Sequence, residues 1–554
     1  RRTFPKSSTI HHYYLTMSGY RTLHRIPPTA PPSPSDASVA SDATSPPTPT
    51  WRVKFSPCRH HDHSNNSSRS PPVLRLLAAG GTNLIRAYSL RDTTEKDLHS
   101  DDVLDASAMT ASLDEYLVPR RHRGERGGDE DDDVPSAFQR RPLELGYASL
   151  DVARNHVGED ASSGSEIVAA SQLGGRVAVW FRLDPALAEK GFVAEGDVDV
   201  RPDADADVDA GETPSKPRFV RPRAEFRVPN ATGTTLAIRP PRLGNYYSNA
   251  ETDVLLALGC ADGSVALCKT GILAARPGRP SGGAAGVVGD TSSASSTQRR
   301  QSLQIMSGST PGDIVASIGE GHACVMSLDF HPTLPNTFAV GRKDGTVDIY
   351  SSSHGDDDRL AFRRVHHLVP SHHPIRALTY SRPDGALLFA GDDDGKVFSF
   401  DVSIASAAFA ASSSSSAGAS DASAPPPSPP WASIAAPVKL VACALTAHRG
   451  WVMHMAPFPD GRRLATCGSD GAVKVWDCGK GLGSGVPVHS FEIVHDGWVW
   501  GVGCGRLVGG RGVGGAGAGA GAGGVGGSVN GRKGRLKLVS CGNDGVIQIF
   551  SCEE

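Results

Sequence analysis

The clearest pattern of hydrophobic and polar positions lies between His448 and Asp477. Three apolar runs, WVMHMAPF, RRLATCGS and AVKVWD, are separated by two turn signals, a Pro-Asp-Gly and an Asp-Gly. An Asp-Gly pair between two short apolar runs is typical of a tight hairpin, and Pro-Asp-Gly is typical of a turn. This unit therefore predicts three consecutive antiparallel β-strands.

The same order of residues recurs along the chain, complete or in fragments. It consists of a His, a strand, a turn, a second strand, an Asp-Gly and a third strand that usually ends on an aromatic residue. The order is clear in the units that His322, His372 and His495 open, and weaker in three units upstream. The third strands end at Tyr88, Trp180, Cys268, Tyr350, Phe400, Trp476 and Phe550. Repetition of one unit indicates a repeat architecture, and here the copies number seven.

Segments of low complexity separate the repeats. Neighbouring third strands end 50 to 92 residues apart, whereas a compact repeat of this kind needs roughly 40–45 residues. The excess is rich in Gly, Ser, Pro or acidic residues and has no apolar periodicity, so we predict long disordered loop inserts. The inserts are expected at about 92–145, 184–217, 271–311, 403–436 and 505–534. The stretch 27–50, rich in Pro, Ser and Thr, is similar in composition. Residues 1–50 are predicted to be mostly disordered.

The repeated order resembles the WD40 repeat. Seven copies imply an all-β fold, a seven-bladed WD40 β-propeller over residues 51–554. One four-stranded sheet cannot bury both of its faces, and radial stacking of the sheets covers them. Each copy supplies three strands plus the outer strand of the preceding blade, so the last blade needs an outer strand from elsewhere. The alternating segment Tyr20–Ile26 is the candidate for this ring-closing strand.

The resemblance also implies a structural hydrogen-bonded tetrad within a repeat. In the clearest unit its positions are held by His448, Thr466, Asp470 and Trp476. A chain of hydrogen bonds is expected to run from the indole through the hydroxyl and the imidazole to the carboxylate. The last unit keeps His495, Ser540 and Asp544. It has Phe550 at the Trp position, so its tetrad is expected to be incomplete.

Candidate chemistry is sparse along the chain. Zinc-binding residue types cluster at Cys58, His60, His61 and His63. They fall in a connection between strands, where a polar loop is the alternative interpretation, and we predict no metal site. No Gly-Lys-Ser/Thr follows the Gly-rich stretch, and no nucleophile–base pattern or carboxylate pair stands out. We therefore expect no enzyme activity, no cofactor and no small-molecule substrate.

Composition and charge narrow the classes of partner. The 554 residues carry a formal net charge of −3, so the overall charge points neither to nucleic acid nor to an anionic membrane surface. No apolar run reaches the length of about 18 residues that predicts a membrane span. The ten Cys residues are scattered, which fits the reduced thiols of the cytosol or nucleus. Protein partners are the remaining class.

The C-terminal part of the chain resembles one group of WD40 proteins more specifically. The segments PIRALTYSRPDGALLFAGDDDGKVFSFD, HRGWVMHMAPFPDGRRLATCGSDGAVKVWD and HDGWVWGVGC with KLVSCGNDGVIQIFSCEE are similar to the WD-repeat subunit of the superkiller complex. The resemblance implies a non-catalytic scaffold beside a tetratricopeptide scaffold and an RNA helicase, which feed mRNA to the exosome for 3'–5' decay. It also implies a place in the RNA polymerase II-associated factor complex during transcription elongation. The implied locations are the cytoplasm and the nucleus.

A second function is the substrate receptor of a cullin ubiquitin ligase. Such propellers often carry Trp-Asp-x-Arg after the third strand. Here the clearest repeat reads Trp476-Asp477-Cys478-Gly479, and Trp180-Phe181-Arg182 lacks the Asp. The motif is thus incomplete in both places, which weakens this alternative.

The residues that lead into the first strands are the candidates for partner binding. In the last three units these residues are Pro374-Ile375-Arg376, Trp451-Val452-Met453 and Trp498-Val499-Trp500. With both Val side chains pointing inward, Arg376, Trp451, Trp498 and Trp500 are expected to form a patch around the central channel. Aromatic residues and Arg are typical of protein–protein hot spots. The alternative is that the tryptophans fill space between blades.

Overall fold

The computed structural model describes residues 20–28, 48–56, 74–81, 84–92, 109–119, 146–156, 164–182, 218–239, 253–273, 310–319, 323–334, 336–352, 362–402, 438–478, 482, 485–507 and 535–552. Within these residues the elements are 29 β-strands. In chain order they begin with β1 (Tyr20–Ile26), β2 (Thr50–Phe55), β3 (Leu74–Gly80), β4 (Ile85–Asp92), β5 (Met109–Leu117), β6 (Tyr147–His156), β7 (Gly164–Gln172), β8 (Arg176–Arg182), β9 (Arg218–Val220), β10 (Ala224–Arg227), β11 (Ala231–Ile238), β12 (Asp253–Cys260), β13 (Val265–Leu273) and β14 (Ile314–Ile318). They continue with β15 (Val325–Phe330), β16 (Thr337–Arg342), β17 (Val347–Ser352), β18 (Phe362–Leu368), β19 (Ile375–Tyr380), β20 (Leu387–Asp392), β21 (Val397–Asp401), β22 (Lys439–Ala444), β23 (Val452–Pro457), β24 (Arg463–Gly468), β25 (Val473–Asp477), β26 (His489–Phe491), β27 (Val499–Leu507), β28 (Arg535–Gly542) and β29 (Ile547–Cys552).

The strands form seven sheets, which are the blades of a β-propeller. From the inner to the outer strand, blade 1 is β2-β3-β4-β5-β9, blade 2 is β6-β7-β8-β10, and blade 3 is β11-β12-β13-β14. Blades 4, 5 and 6 are β15 to β18, β19 to β22 and β23 to β26, and blade 7 is β27-β28-β29-β1. Each inner strand contacts the inner strand of the next blade, and β27 contacts β2, so the ring is closed. The predicted seven-bladed fold is confirmed.

The N-terminal segment supplies the outer strand of the last blade. Strand β1 pairs antiparallel with β29, from Tyr20 opposite Cys552 to Ile26 opposite Ile547. The Ile26 side chain is buried in the apolar cluster between blades 7 and 1. Pairing across the sequence in this way leaves β29 without an open edge, which is the physical reason a propeller benefits from such a closure.

The apolar core lies between the blades. Each of seven clusters among the described residues joins two neighbouring blades; the cluster between blades 6 and 7, for example, places Val473 and Val475 against Val499 and Val502. The second and third strands of a blade are covered on both faces, as in β16 and β17, where every residue is buried. This two-sided burial explains why these strands have nearly continuous apolar sequences.

The structure corrects three of the predicted inserts. Met109–Leu117 lies within the segment 92–145 but forms β5, the fourth strand of blade 1. The segment 271–311 begins too early, because β13 continues to Leu273, and the segment 505–534 begins too early because β27 continues to Leu507. Strand β5 was missed because the alternation of apolar and polar residues in Met109–Leu117 is interrupted at Asp114, where the strand has a β-bulge. The other parts of the five inserts lie largely outside the described residues.

Candidate protein interface

The inner strands all begin at one end of the ring, which we call the top face. In blades 6 and 7 the same backbone bond marks this end: Ser469 N–H donates to the Trp451 carbonyl, and Asn543 N–H donates to the Trp498 carbonyl, both at 3.0 Å. Trp451 and Trp498 therefore occupy equivalent positions in neighbouring blades. The next residues, Val452 and Val499, are fully buried. The side chains before them are thus directed away from the core.

A β-bulge follows in each of the last three inner strands. The pairing of β19 with β20, β23 with β24 and β27 with β28 skips one residue near the strand start. The skipped residues are Arg376, Met453 and Trp500. A bulge turns a side chain away from the direction that regular pleating gives it. This local geometry brings Arg376 and Trp500 towards the tryptophans of the top face.

Four side chains then form one continuous surface, which we call the aromatic patch: Arg376, Trp451, Trp498 and Trp500. The ring centroids of Trp451 and Trp498 lie 5.3 Å apart, and those of Trp498 and Trp500 also lie 5.3 Å apart. The Arg376 guanidinium lies 4.8 Å from the centroid of the Trp451 ring. These distances are typical of aromatic and cation–π pairs. Trp451 and Trp498 each expose 38% of their surface.

Residues that the sequence analysis did not select hold the patch in place. Asp393 accepts two hydrogen bonds from the Arg376 guanidinium, each at 2.7 Å. Asn543 Oδ1 accepts a hydrogen bond from the Trp500 indole at 3.0 Å. Like Ser469 in blade 6, both residues come directly before the Asp-Gly of a hairpin turn. That position is the signal in the sequence that could have found them.

The alternative in which the tryptophans fill space between blades applies to one of the three in part. Trp500 is half-buried and packs against the cluster between blades 6 and 7. Trp451 and Trp498 are members of no apolar cluster among the described residues. The two rings therefore cover each other while a large part of each faces solvent.

Blade 6 contains a four-member hydrogen-bond network beneath the patch. The Trp476 indole donates to Thr466 Oγ1 at 2.9 Å, and Thr466 Oγ1 lies 2.8 Å from His448 Nε2. His448 Nδ1 lies 3.0 Å from an Asp470 carboxylate oxygen. The indole can only donate and the ionised carboxylate can only accept, so each group in the chain donates to the next and Asp470 is the final acceptor. The network ties the hairpin to the connection that precedes the inner strand.

The charged end of this network is held by several donors. Burial acts to raise the pKa of Asp470, but hydrogen bonds from His448 and from the backbone of Arg449 and Ala472 outweigh burial and lower the pKa to about 2. The carboxylate is therefore ionised over the physiological range.

Blade 7 contains a three-member version of the network. His495 Nε2 lies 2.8 Å from Ser540 Oγ, and His495 Nδ1 lies 3.0 Å from an Asp544 carboxylate oxygen. Phe550 lies opposite Leu538, as Trp476 lies opposite Leu464. Because a phenyl ring has no N–H, the Ser540 hydroxyl receives no hydrogen bond from this position.

The residue that opens blade 5 differs from the one the sequence indicated. His372 is exposed, and Ser371 lies at the equivalent of His448: its carbonyl faces the positive-φ glycine of the preceding hairpin. Ser371 Oγ donates to Asp392 Oδ2 at 2.7 Å, and Asp392 is fully buried. A hydroxyl–carboxylate pair thus replaces the imidazole in blade 5. The prediction was wrong by one residue, because His372 directly follows Ser371 and matched the repeat pattern. His322 lies outside the described residues.

The inner strands of the seven blades enclose a central channel. It contains a cavity of about 270 Å³. Four cationic side chains are among those that line it: Arg52, Lys54, Arg376 and Arg382. His454 and Asp329 also line the cavity. The channel thus carries more positive than negative side chains.

Two further kinds of feature, a metal site and a membrane-spanning helix, were searched for among the described residues. Within the described part of the chain, no group of three or more His, Cys, Asp and Glu side chains could hold a metal ion. Cys58, His60, His61 and His63 lie outside it. No helix there is long and apolar enough to cross a membrane.

Comparison with known proteins identifies one repeat. The model of the WD domain, G-beta repeat, matches residues 439–477. That range runs from β22 through β25, so it contains the outer strand of blade 5 and the first three strands of blade 6. The fold is a seven-bladed β-propeller that contains a WD40 repeat. No curated protein matches the chain. WD40 propellers typically act as protein-interaction scaffolds, which is the class of function that the fold indicates.

Proposed function

We propose that the chain is a non-catalytic scaffold that binds a protein partner through the aromatic patch. The observation that carries this proposal is the exposed stack of Trp451 and Trp498, flanked by Trp500 and by Arg376. Trp and Arg residues dominate the energetics of protein interfaces, where each can contribute about 2 kcal/mol or more. The patch is also preformed, because Asp393 and Asn543 hold two of its members. A preformed surface loses less conformational entropy on binding.

We further propose that the partner belongs to a superkiller-type complex. The support is the resemblance of the last three repeats to the WD-repeat subunit of that complex, and the patch lies within these repeats. The partners would then be a tetratricopeptide scaffold and an RNA helicase, and the process would be exosome-mediated 3'–5' mRNA decay. A second assembly would be the RNA polymerase II-associated factor complex, with the protein in both cytoplasm and nucleus.

The test is affinity purification of the full chain and of the double variant Trp451→Ala with Trp498→Ala, followed by mass spectrometry. Leu173→Ala is the matched control, because Leu173 is an exposed apolar residue in a hairpin on the same face, in blade 2. The double variant should stay folded and lose its partner, whereas the control should keep it.

The identity of the recovered proteins separates the finer proposals. A tetratricopeptide protein together with a helicase supports the superkiller-type assembly. A cullin adaptor supports the ubiquitin-ligase alternative instead. Partner recovery by the double variant at the level of the unaltered chain would refute the patch as the binding surface.

A further inference from the structure

One positive charge on the channel wall, that of Arg52, has no negative partner in the described part of the chain. Arg52 follows Trp51 at the start of the inner strand of blade 1, and its Nη1 donates to the Trp500 carbonyl at 2.7 Å and to the Trp51 carbonyl at 3.2 Å. Among the described residues, no carboxylate forms an ion pair with it. A guanidinium has five N–H donors, and those on Nε and Nη2 have no acceptor within the described chain. Burial lowers the pKa of Arg52, but arginine stays charged in proteins.

The other cations near Arg52 are already neutralised. Lys54 lies 3.3 Å from Asp151, and Arg382 lies 3.4 Å from Asp329. Arg376 forms its two hydrogen bonds with Asp393. Counted over the side chains that the structure describes, the wall therefore carries one excess positive charge, and it is located at Arg52.

We propose that Arg52 forms a carboxylate-binding site in the mouth of the channel, which receives an acidic side chain of the protein segment bound on the aromatic patch. The inference rests on the proposed function and adds the chemistry of the partner: an aromatic or apolar residue on the patch and a Glu or Asp in the channel. The Arg52–Trp500 hydrogen bond joins the two sites directly.

The donor geometry favours a carboxylate. With Nη1 held by two carbonyls, the Nε–H and Nη2–H edge of the guanidinium remains, and these two parallel donors match the two oxygens of a carboxylate. The cavity of about 270 Å³ has room for such a group. A dianionic phosphate would leave one negative charge uncompensated beside a single unpaired cation, which is costly away from water.

His454 supplies a further donor on the same cavity. Burial lowers the pKa of His454 well below its usual range, and the positive charges of Arg52 and Lys54 lower it further. Its Nδ1 accepts a hydrogen bond from Val502 N–H at 3.4 Å. A neutral imidazole that accepts at Nδ1 carries its proton on Nε2. This ring therefore offers an N–H without adding a second positive charge to the site.

The experiment uses the purified full chain and fluorescein-labelled synthetic peptides, with binding measured by fluorescence polarisation. The peptides are short Gly-Ser sequences that carry one Trp or Leu and one Glu at increasing separation, with matched Gln and phosphoserine versions. The best Glu peptide should bind roughly tenfold or more tightly than its Gln version, because a charge-assisted bidentate pair is lost. In Arg52→Gln this ratio should fall to about one.

Three further variants make the result specific. Arg449→Gln removes an equally charged, exposed residue from the top face outside the channel and should keep the Glu-to-Gln ratio. Arg52→Lys retains the charge but not the paired donors and should give an intermediate ratio. Trp451→Ala with Trp498→Ala should weaken Glu and Gln peptides equally. Melting temperatures of all variants confirm that each is folded.

The outcomes distinguish this inference from the proposed function. If peptides bind through the tryptophans with no difference between Glu and Gln, the patch is a binding surface and the carboxylate site is refuted. The inference is equally refuted if no Glu peptide binds, if Arg52→Gln keeps the ratio, or if phosphoserine binds more tightly than Glu. Failure of the double Trp variant to lose its partner in the purification would refute the proposed function itself.

Discussion

Blades 6 and 7 are neighbours that have nearly the same side chains at the top face but differ in the outer strand and in the aromatic residue of the third strand. Their His–Asp pairs have the same distances, and each places a Trp at the equivalent position of the top face. Blade 6 is completed by local chain, with β26 following β25, and by the Trp476 indole. Blade 7 lacks the indole and takes its outer strand from the other end of the sequence. Two blades can thus present equivalent surfaces although different hydrogen bonds and different outer strands stabilise their sheets.

The largest difference between the two blades should appear when β1 is removed. Deletion of residues 1–26 leaves β29 with an open edge and exposes the cluster that Ile26 covers. Lost backbone hydrogen bonds at about 1 kcal/mol each, together with the exposed apolar surface, predict a loss of at least about 4 kcal/mol. Deletion of residues 1–19 retains the strand and is the control. Urea unfolding measures both, and equal stability of the two deletions would contradict a closing role for β1.

The next largest effect should come from Trp476, which blade 6 has and blade 7 lacks. Trp476→Ala removes a fully buried indole and the N–H that Thr466 accepts, so we expect a loss of roughly 3–5 kcal/mol. Trp476→Phe converts the position to the residue found in blade 7 and should cost less, about 1–2 kcal/mol. Chemical denaturation gives both values. A melting temperature unchanged by Trp476→Ala would show that the tetrad is not formed.

The hydroxyls of Thr466 in blade 6 and Ser540 in blade 7 should also contribute unequally to the free energy of unfolding. Thr466 joins two groups, His448 and Trp476, whereas Ser540 joins only His495. Thr466→Val therefore leaves two buried groups unsatisfied and should cost about 2–4 kcal/mol, against about 1–2 kcal/mol for Ser540→Ala. Paired denaturation curves test the order, and a larger cost for Ser540→Ala would overturn it.

Acid should weaken blade 6 through Asp470. Its pKa is about 2 in the folded protein, below the ordinary value of 3.8. A lowered folded-state pKa adds stability that is present above about pH 4 and is lost as the pH falls towards about 2. The contribution is about 2 kcal/mol. Between these pH values the free energy of unfolding should fall more steeply for the unaltered chain than for Asp470→Asn; parallel pH profiles would contradict this.

The smallest effect is expected when residues 508–534 of blade 7 are excised and a two-residue Asn-Gly turn takes their place, because Leu507 and Arg535 pair opposite each other and cannot be joined directly. This segment has no apolar periodicity, so its removal should change stability by less than about 1 kcal/mol. Excision of 505–534 also removes Gly505, Arg506 and Leu507, which pair with β28, and should cost more. Comparison of the two melting temperatures tests where β27 ends.

The sequence-based predictions were most accurate for strands with a strong local pattern of apolar residues and turn residues. Asp-Gly turns and two-sided burial produced short apolar runs that marked the second and third strands of the blades. Weaker signals led to two errors: β5 was hidden in a predicted insert, and the opening residue of blade 5 was placed at His372 instead of Ser371. The members of the aromatic patch could be listed from the repeat alignment. Asp393 and Asn543 were missed, although both come directly before an Asp-Gly, because the side chains that they hold lie 17 and 43 residues away in the sequence.

The sequence by itself determined the number of repeats and therefore the class of fold, because hydrophobic periodicity and turn residues act over a few neighbouring positions. Only the tertiary structure decided how separate repeats combine. It set the register of β1 on β29, stacked Trp451 of one blade on Trp498 of the next, and placed Arg52 beside the Trp500 carbonyl with no carboxylate of the described residues in reach. These are contacts between residues that lie far apart in the chain, and no local pattern encodes the distance or the charge balance that results.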